Sequence, residues 1–75
     1  MERIMQAFNR ITFDSNMMGG QACVRGMRIP VSLVINLIAN GMTFQEIVSE
    51  YPDLQNEDIK ECLQYAAWLT KEEQR

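Results

Sequence analysis

The sequence predicts a mainly α domain, a three-helix body of helix-turn-helix type preceded by a short β arm. Three observations carry this reading: an apolar run ending at a glycine, a capped amphipathic stretch stopped by a proline, and a glycine-punctuated extended segment ahead of both. The run "VSLVINLIAN" from Val31 is apolar on nearly every side, so it is expected to be a central helix, with Gly41 suited to a left-handed C-terminal cap. In "TFQEIVSEY", Phe44, Ile47, Val48 and Tyr51 recur at i, i+3, i+4 and i+7, the spacing of one helix face. Thr43 and Glu46 form a capping box at its start, and Pro52 ends it.

A third helix is expected from Gln55 or Asn56 to about Leu69, with Glu57, Asp58 and Glu61 as a solvated first turn near the positive end of its dipole. Ile59, Cys62, Leu63, Ala66 and Leu69 form its inner stripe, with Tyr65 and Trp68 partly off it. Ahead of the helices, "RITFD" and "ACVRGMRI" favour short extended segments joined through "SNMMGGQ" as a hairpin-like arm, and Gly26 permits a bend between Val24 and Met27. Pro30 suits the edge of the first helical turn. The organisation is therefore a leader at 1–9, the arm and Gly-rich turn at 10–30, the helical body at 31–69 and a tail at 70–75.

A chain of 75 residues holds one domain, and its size limits the core. With no histidine and only Cys23 and Cys62 as thiols, no closed four-ligand metal site can be drawn from one copy. The opening "MERIMQAFNR" lacks the continuous apolar run of an export signal, and no stretch reaches membrane-spanning length. These features predict a cytoplasmic protein with two reduced, mostly buried cysteines and no membrane contact. Oligomerisation or a permanent partner remains to supplement the core.

Charge is divided unevenly. Residues 1–30 hold four arginines against two acidic residues, whereas residues 31–75 hold three basic residues against eight acidic ones. Any nucleic-acid contact has to start from the basic end. Arg10, Arg25 and Arg28 are the candidate phosphate ligands, with Lys60 beside them and with Gln55 and Asn56 able to read adenine edges. Glu57, Asp58 and Glu61 in the same turns would repel the DNA backbone. The arginines equally suit hydrogen-bonded forks that pin the arm to the acidic helices.

The glycine-rich stretch "GGQACVRG" lacks the lysine and hydroxyl of a P-loop and the spacing of a dinucleotide fingerprint, so scaffolding is the favoured reading over a phosphate cradle. No serine–base pair suggests an enzyme, and no cofactor is implied. Material for a protein interface is better supplied: Met17 and Met18 in the arm's connection, and Tyr65 and Trp68 on the last helix. The same aromatic residues could instead complete the core.

Motifs in order also resemble a bacterial family. "RITFD", "GGQACVRGMRIPV", "GMTFQEI", "YPDLQNEDI" and "LQYAA" follow the pattern R-I-x-x-[DN], G-G-x-P-x-[IV]-x-G-T-R-I-P-V, G-x-[ST]-x-E-E-[IL], Y-P-x-L-[ST]-x-E-D-[IV] and A-L-x-Y-A of domain-of-unknown-function family 433. Departures are Ala22 for proline, Met27 for threonine, Gln45 for glutamate and Gln55 for a hydroxyl cap. The resemblance covers residues 10 to about 67. It implies a homeodomain-like helix-turn-helix dimer with a short β arm, acting as a VapB-type antitoxin against a PIN-like nuclease; the basic residues named above add operator DNA as a possible second partner. The alternatives are a DNA-binding regulator without a toxin and a structural homodimer.

Overall fold

The computed structural model describes the backbone of residues 8–73 and the side chains of residues 8–71. Strand β1 (Ile11–Phe13) pairs antiparallel with β2 (Ala22–Val24), Ile11 opposite Val24 and Phe13 opposite Ala22. Helices α1 (Val31–Ala39), α2 (Phe44–Glu50) and α3 (Asn56–Glu73) follow. A 3-10 turn at Met18–Gly20 lies within the hairpin connection. The expected leader lies outside the described residues except for Phe8 and Asn9.

After β2 the chain reverses again in a tight turn. The Met27 N–H donates to the Val24 carbonyl at 2.8 Å, and the Val24 N–H donates to the Ile29 carbonyl at 3.0 Å. Both central residues have positive φ, Arg25 at 45° and Gly26 at 70°. Such a turn suits the right-handed twist of a strand pair, and glycine adopts it without steric cost. Arginine does not, which makes Arg25 a strained position.

Helix α1 starts after Pro30 and ends where the sequence places its stop. The Gly41 N–H donates to the Ile38 carbonyl at 2.9 Å and the Met42 N–H to the Leu37 carbonyl at 3.1 Å, with Gly41 at φ 94°. This is a Schellman closure, and it needs the left-handed residue. At α2 the Thr43 hydroxyl accepts from the Glu46 N–H at 3.1 Å, and the Glu46 carboxylate accepts from the Thr43 N–H at 2.9 Å. The expected capping box is thus present in both halves.

The core joins Phe8 of the leader and Ile11 and Val24 of the arm to Val31, Val34, Ile47, Leu54, Ile59 and Cys62 of the body. Two expectations shift. Helix α1 is not central: only Val31 and Val34 are fully buried, and Leu33, Ile35, Leu37 and Ile38 are half-buried, because it packs on β2, α2 and α3 from one side. On α3, Tyr65 is buried and Leu69 is exposed, the reverse of the expected stripe, because Phe8 covers Tyr65 edge-on at a ring-centroid distance of 5.4 Å. The helix also continues to Glu73 rather than ending near Leu69. Both cysteines are free and buried.

The capping box carries a measurable share of α2, a helix of seven residues with little else to start it. Thr43→Ala removes the hydroxyl acceptor and is expected to cost about 1 kcal/mol. In a domain of this size that lowers the thermal midpoint by roughly 4–8 °C, read by circular dichroism.

Candidate functional site

The start of α3 is built around one carboxylate. Asp58 occupies the first turn, where an acidic side chain faces the positive end of the helix dipole, yet its side chain is 0% exposed. Its Oδ2 accepts from the Gln55 backbone N–H at 2.8 Å, which replaces the side-chain cap that Gln55 does not supply. The same carboxylate then receives both arm arginines. Arg10 donates to Oδ1 at 2.9 Å, and Arg25 donates through Nε to Oδ1 at 3.0 Å and through its terminal nitrogen to Oδ2 at 2.9 Å.

Around this pair the remaining donors are also directed. Arg25 reaches the Asp53 carbonyl at 2.7 Å, Arg10 reaches the Gln55 side-chain oxygen at 3.0 Å, and the Arg10 backbone N–H donates to the Glu61 carboxylate. The strained φ of Arg25 is therefore held by three side-chain hydrogen bonds, two of them a fork on Asp58. Among the described residues the ion pairs are Arg10–Asp58 and Arg25–Asp58.

Burial pushes the Asp58 carboxyl up, but the Arg25 fork, the Gln55 N–H and Arg10 outweigh it and hold the group below its usual range. The Asp58 hydrogen bond raises the Arg25 guanidinium in turn. Cys62 lies on the same helix, and burial, reinforced by the charges of Asp58 and Glu61, pushes its thiol up to about 12. A thiol so placed stays protonated and inert at neutral pH.

A second feature lies on the other side of the arm. Phe13, Ala22, Val31, Ile35, Tyr65 and Leu69 line a shallow apolar groove between the hairpin, α1 and α3. Phe13 and Leu69 are 50% and 40% exposed, the most exposed large apolar side chains among the described residues. Both stand on the rim of that one groove.

The expected site residues separate into groups. Arg10, Arg25 and Gln55 converge on Asp58, while Arg28, Asn56 and Lys60 are exposed and stand outside that cluster. Met17 and Met18 are half-buried in the hairpin connection. Tyr65 and Trp68 stack at 6.1 Å and both meet Phe8. Residue-by-residue reading overlooked Asp58 as a tether and Phe13 as a surface anchor. The signal for Asp58 was its place at N3, one residue before the apolar Ile59, which turns the position toward the core. Phe13 offered no more than strand alternation with Ile11.

Three helices and a clamped two-strand hairpin define a small, mainly helical domain, with no group of three His, Cys, Asp or Glu residues able to hold a metal among the described residues. Residues 11–66 match the family described as "Protein of unknown function (DUF433)", and the chain belongs to that family. The crystal structure of a DUF433 member protein from Anabaena variabilis ATCC 29413 is similar, with a TM-score of 0.78 and 27% identity, covering 95% of this chain and 70% of that one. No curated protein matches the chain. No helix among the described residues is long and apolar enough to cross a membrane.

Replacing Asp58 by asparagine removes the charge that both arginines share. Hydrogen bonds to charged groups contribute about 1.5–3 kcal/mol, so Asp58→Asn is expected to lower the urea midpoint by an amount of that order. Because the folded-state pKa is depressed, the stabilisation is fully present above the unfolded value of about 3.9 and fades as pH falls through the lower folded value. Wild-type and Asp58→Asn stabilities are therefore expected to converge in strong acid and to differ most at neutral pH.

Proposed function

We propose that this protein is a non-catalytic partner-binding module of the antitoxin type, acting in the cytoplasm by seating its apolar groove on a PIN-like nuclease. The observation that carries the reading is the convergence of Phe13 and Leu69 on one groove rather than their scattering over the surface. Grouped apolar side chains on a small domain mark interaction surfaces, whereas single exposed ones are ordinary. The half-buried flank of α1, with Ile35 facing the groove, extends the same face. The family resemblance supplies the class of partner. The acidic residue best placed for proton chemistry, Asp58, is already committed to two arginines and a backbone N–H.

Operator binding is the second reading, favoured by one observation. Helices α2 and α3, joined through residues 51–55, have the order of a homeodomain-like helix-turn-helix, and Asn56 and Lys60 are exposed on the first turns of α3. Against it, Arg10 and Arg25 face Asp58, and Arg10 holds the Gln55 side-chain oxygen. Any DNA contact then depends on Arg28, Lys60 and a second copy of the chain.

Co-expression with the nuclease encoded by a neighbouring reading frame tests the first reading. The wild-type chain is expected to relieve growth arrest, and Phe13→Asp with Leu69→Asp is expected to lose the relief while keeping the fold. Failure of the wild-type chain to rescue from any neighbouring nuclease removes the antitoxin reading. Gel shift of the promoter fragment separates the second: salt-dependent binding weakened by Arg28→Ala supports it, and no shift at low salt excludes it.

A further inference from the structure

Asn40 is the only asparagine followed by glycine, and it stands at the C-cap of α1. That pair carries a chemistry of its own. The backbone nitrogen after an asparagine can attack the side-chain amide carbon and close a five-membered ring, and glycine, with no Cβ, obstructs the attack least. Asn9, Asn16, Asn36 and Asn56 are followed by arginine, methionine, leucine and glutamate, whose side chains crowd the same nitrogen. Asn40 and Gly41 are both exposed, and a Cβ added at Gly41 would meet nothing within 4 Å, so the turn is open to water. Backbone geometry holds the reaction off while the turn is closed. The Asn40 Nδ2 donates to the Asn36 carbonyl at 2.8 Å, and the attacking Gly41 N–H is engaged with the Ile38 carbonyl at 2.9 Å. Ring closure also requires the Gly41 nitrogen to eclipse the Asn40 Cβ about the Cα–C bond. At ψ 10° it nearly eclipses the Asn40 backbone nitrogen instead.

We propose that Asn40–Gly41 is a deamidation site gated by fraying of the last turn of α1. Helix ends open far more readily than cores, and one opening releases both hydrogen bonds and the ψ angle together. The Gly41 nitrogen then loses its proton and attacks the Asn40 Cγ. The Cγ–Nδ2 bond breaks and the nitrogen leaves as ammonia, its third hydrogen replacing, through solvent, the one lost from Gly41. Water is the only co-reactant: it opens the succinimide at one carbonyl to give aspartate, or at the other to give isoaspartate with the backbone routed through Cβ. Both products set a carboxylate near the negative end of the α1 dipole, and both lose the Nδ2 donor to Asn36. Isoaspartate also adds a methylene to the backbone just before Gly41. The Gly41 and Met42 N–H groups then fall out of register with the Ile38 and Leu37 carbonyls that close the Schellman turn. The modification therefore loosens the corner at 40–43 that sets α2 against α1. This inference stands without the antitoxin reading.

Peptide mapping by mass spectrometry tests the site and its gate together. The full chain, held folded in warm, mildly alkaline buffer, is expected to show the mass gain of amide-to-acid conversion first at Asn40, as separable aspartyl and isoaspartyl peptides. In urea, where the turn is open throughout, the same conversion is expected to run at least about tenfold faster. Earlier conversion at another asparagine overturns the assignment, as does an unchanged Asn40 in the folded chain after many half-lives of the urea sample. Equal rates in the two conditions overturn the gate. Asn40→Gln, whose longer side chain would have to close a six-membered ring, is expected to abolish conversion at this position, and its persistence there overturns the mechanism. In Asn40→Asp, which reproduces one product, hydrogen exchange at the Gly41 and Met42 N–H groups is expected to quicken several-fold. Unchanged exchange overturns the link to the corner.

Discussion

The Asp58 carboxylate is the point on which the two halves of the molecule meet. It caps α3 through the Gln55 N–H, and it binds the arm through Arg10 and Arg25, which lie 48 and 33 residues away in the chain. The hairpin itself is two strands of three residues, below what holds together independently in water. Its attachment therefore depends on burying Ile11 and Val24 and on the two guanidinium groups that converge on Asp58. Burying a carboxylate is costly unless charge and hydrogen bonds compensate it, and here the two arginines and one backbone N–H supply that compensation. The tether and the helix cap are one group, so the arm and α3 are coupled from the first turn.

That coupling positions the groove. Phe13 and Ala22 belong to the hairpin, Val31 and Ile35 to α1, and Tyr65 and Leu69 to α3, so the surface exists only where three elements are held in register. The Asp58 cluster fixes one end of the arm against α3 while the aromatic contacts of Phe8 and Phe13 with Tyr65 fix its flank. A face assembled in this way rests on a few anchoring contacts between elements rather than on a large core, as a domain of this size requires. It also explains why the apolar α1 does not sit at the centre: with one layer of partners its remaining side chains are half-covered.

Local chemistry made much of this legible. Gly41, the Thr43–Glu46 box and Pro30 punctuate the helices where their stereochemistry requires, since each acts within a few residues and needs no knowledge of the fold. The hairpin and the bend at Gly26 were readable on the same grounds. The inner face of α3 was not. Periodicity there selects a stripe about one helix face wide, and whether Tyr65 or Leu69 is covered depends on Phe8, a residue more than 50 positions earlier. Asp58 was misread as a solvated residue for a related reason: a charge beside other charges looks exposed until its partners from the arm are in place. Fork-like pinning by arginine was among the readings the sequence allowed, and two of the three candidate arginines occupy that geometry.

Arg25 places two incompatible demands on one position. Its backbone, at φ 45°, favours glycine or asparagine, while its side chain is the only one in the turn that reaches both Asp58 and the Asp53 carbonyl. Relatives that relax the turn with a smaller residue must give up the fork, and relatives that keep the fork must tolerate the torsion. A homologue carrying glycine here should therefore show a looser arm unless a compensating cation arises elsewhere, which makes this single position an indicator of how firmly the hairpin is latched across the family.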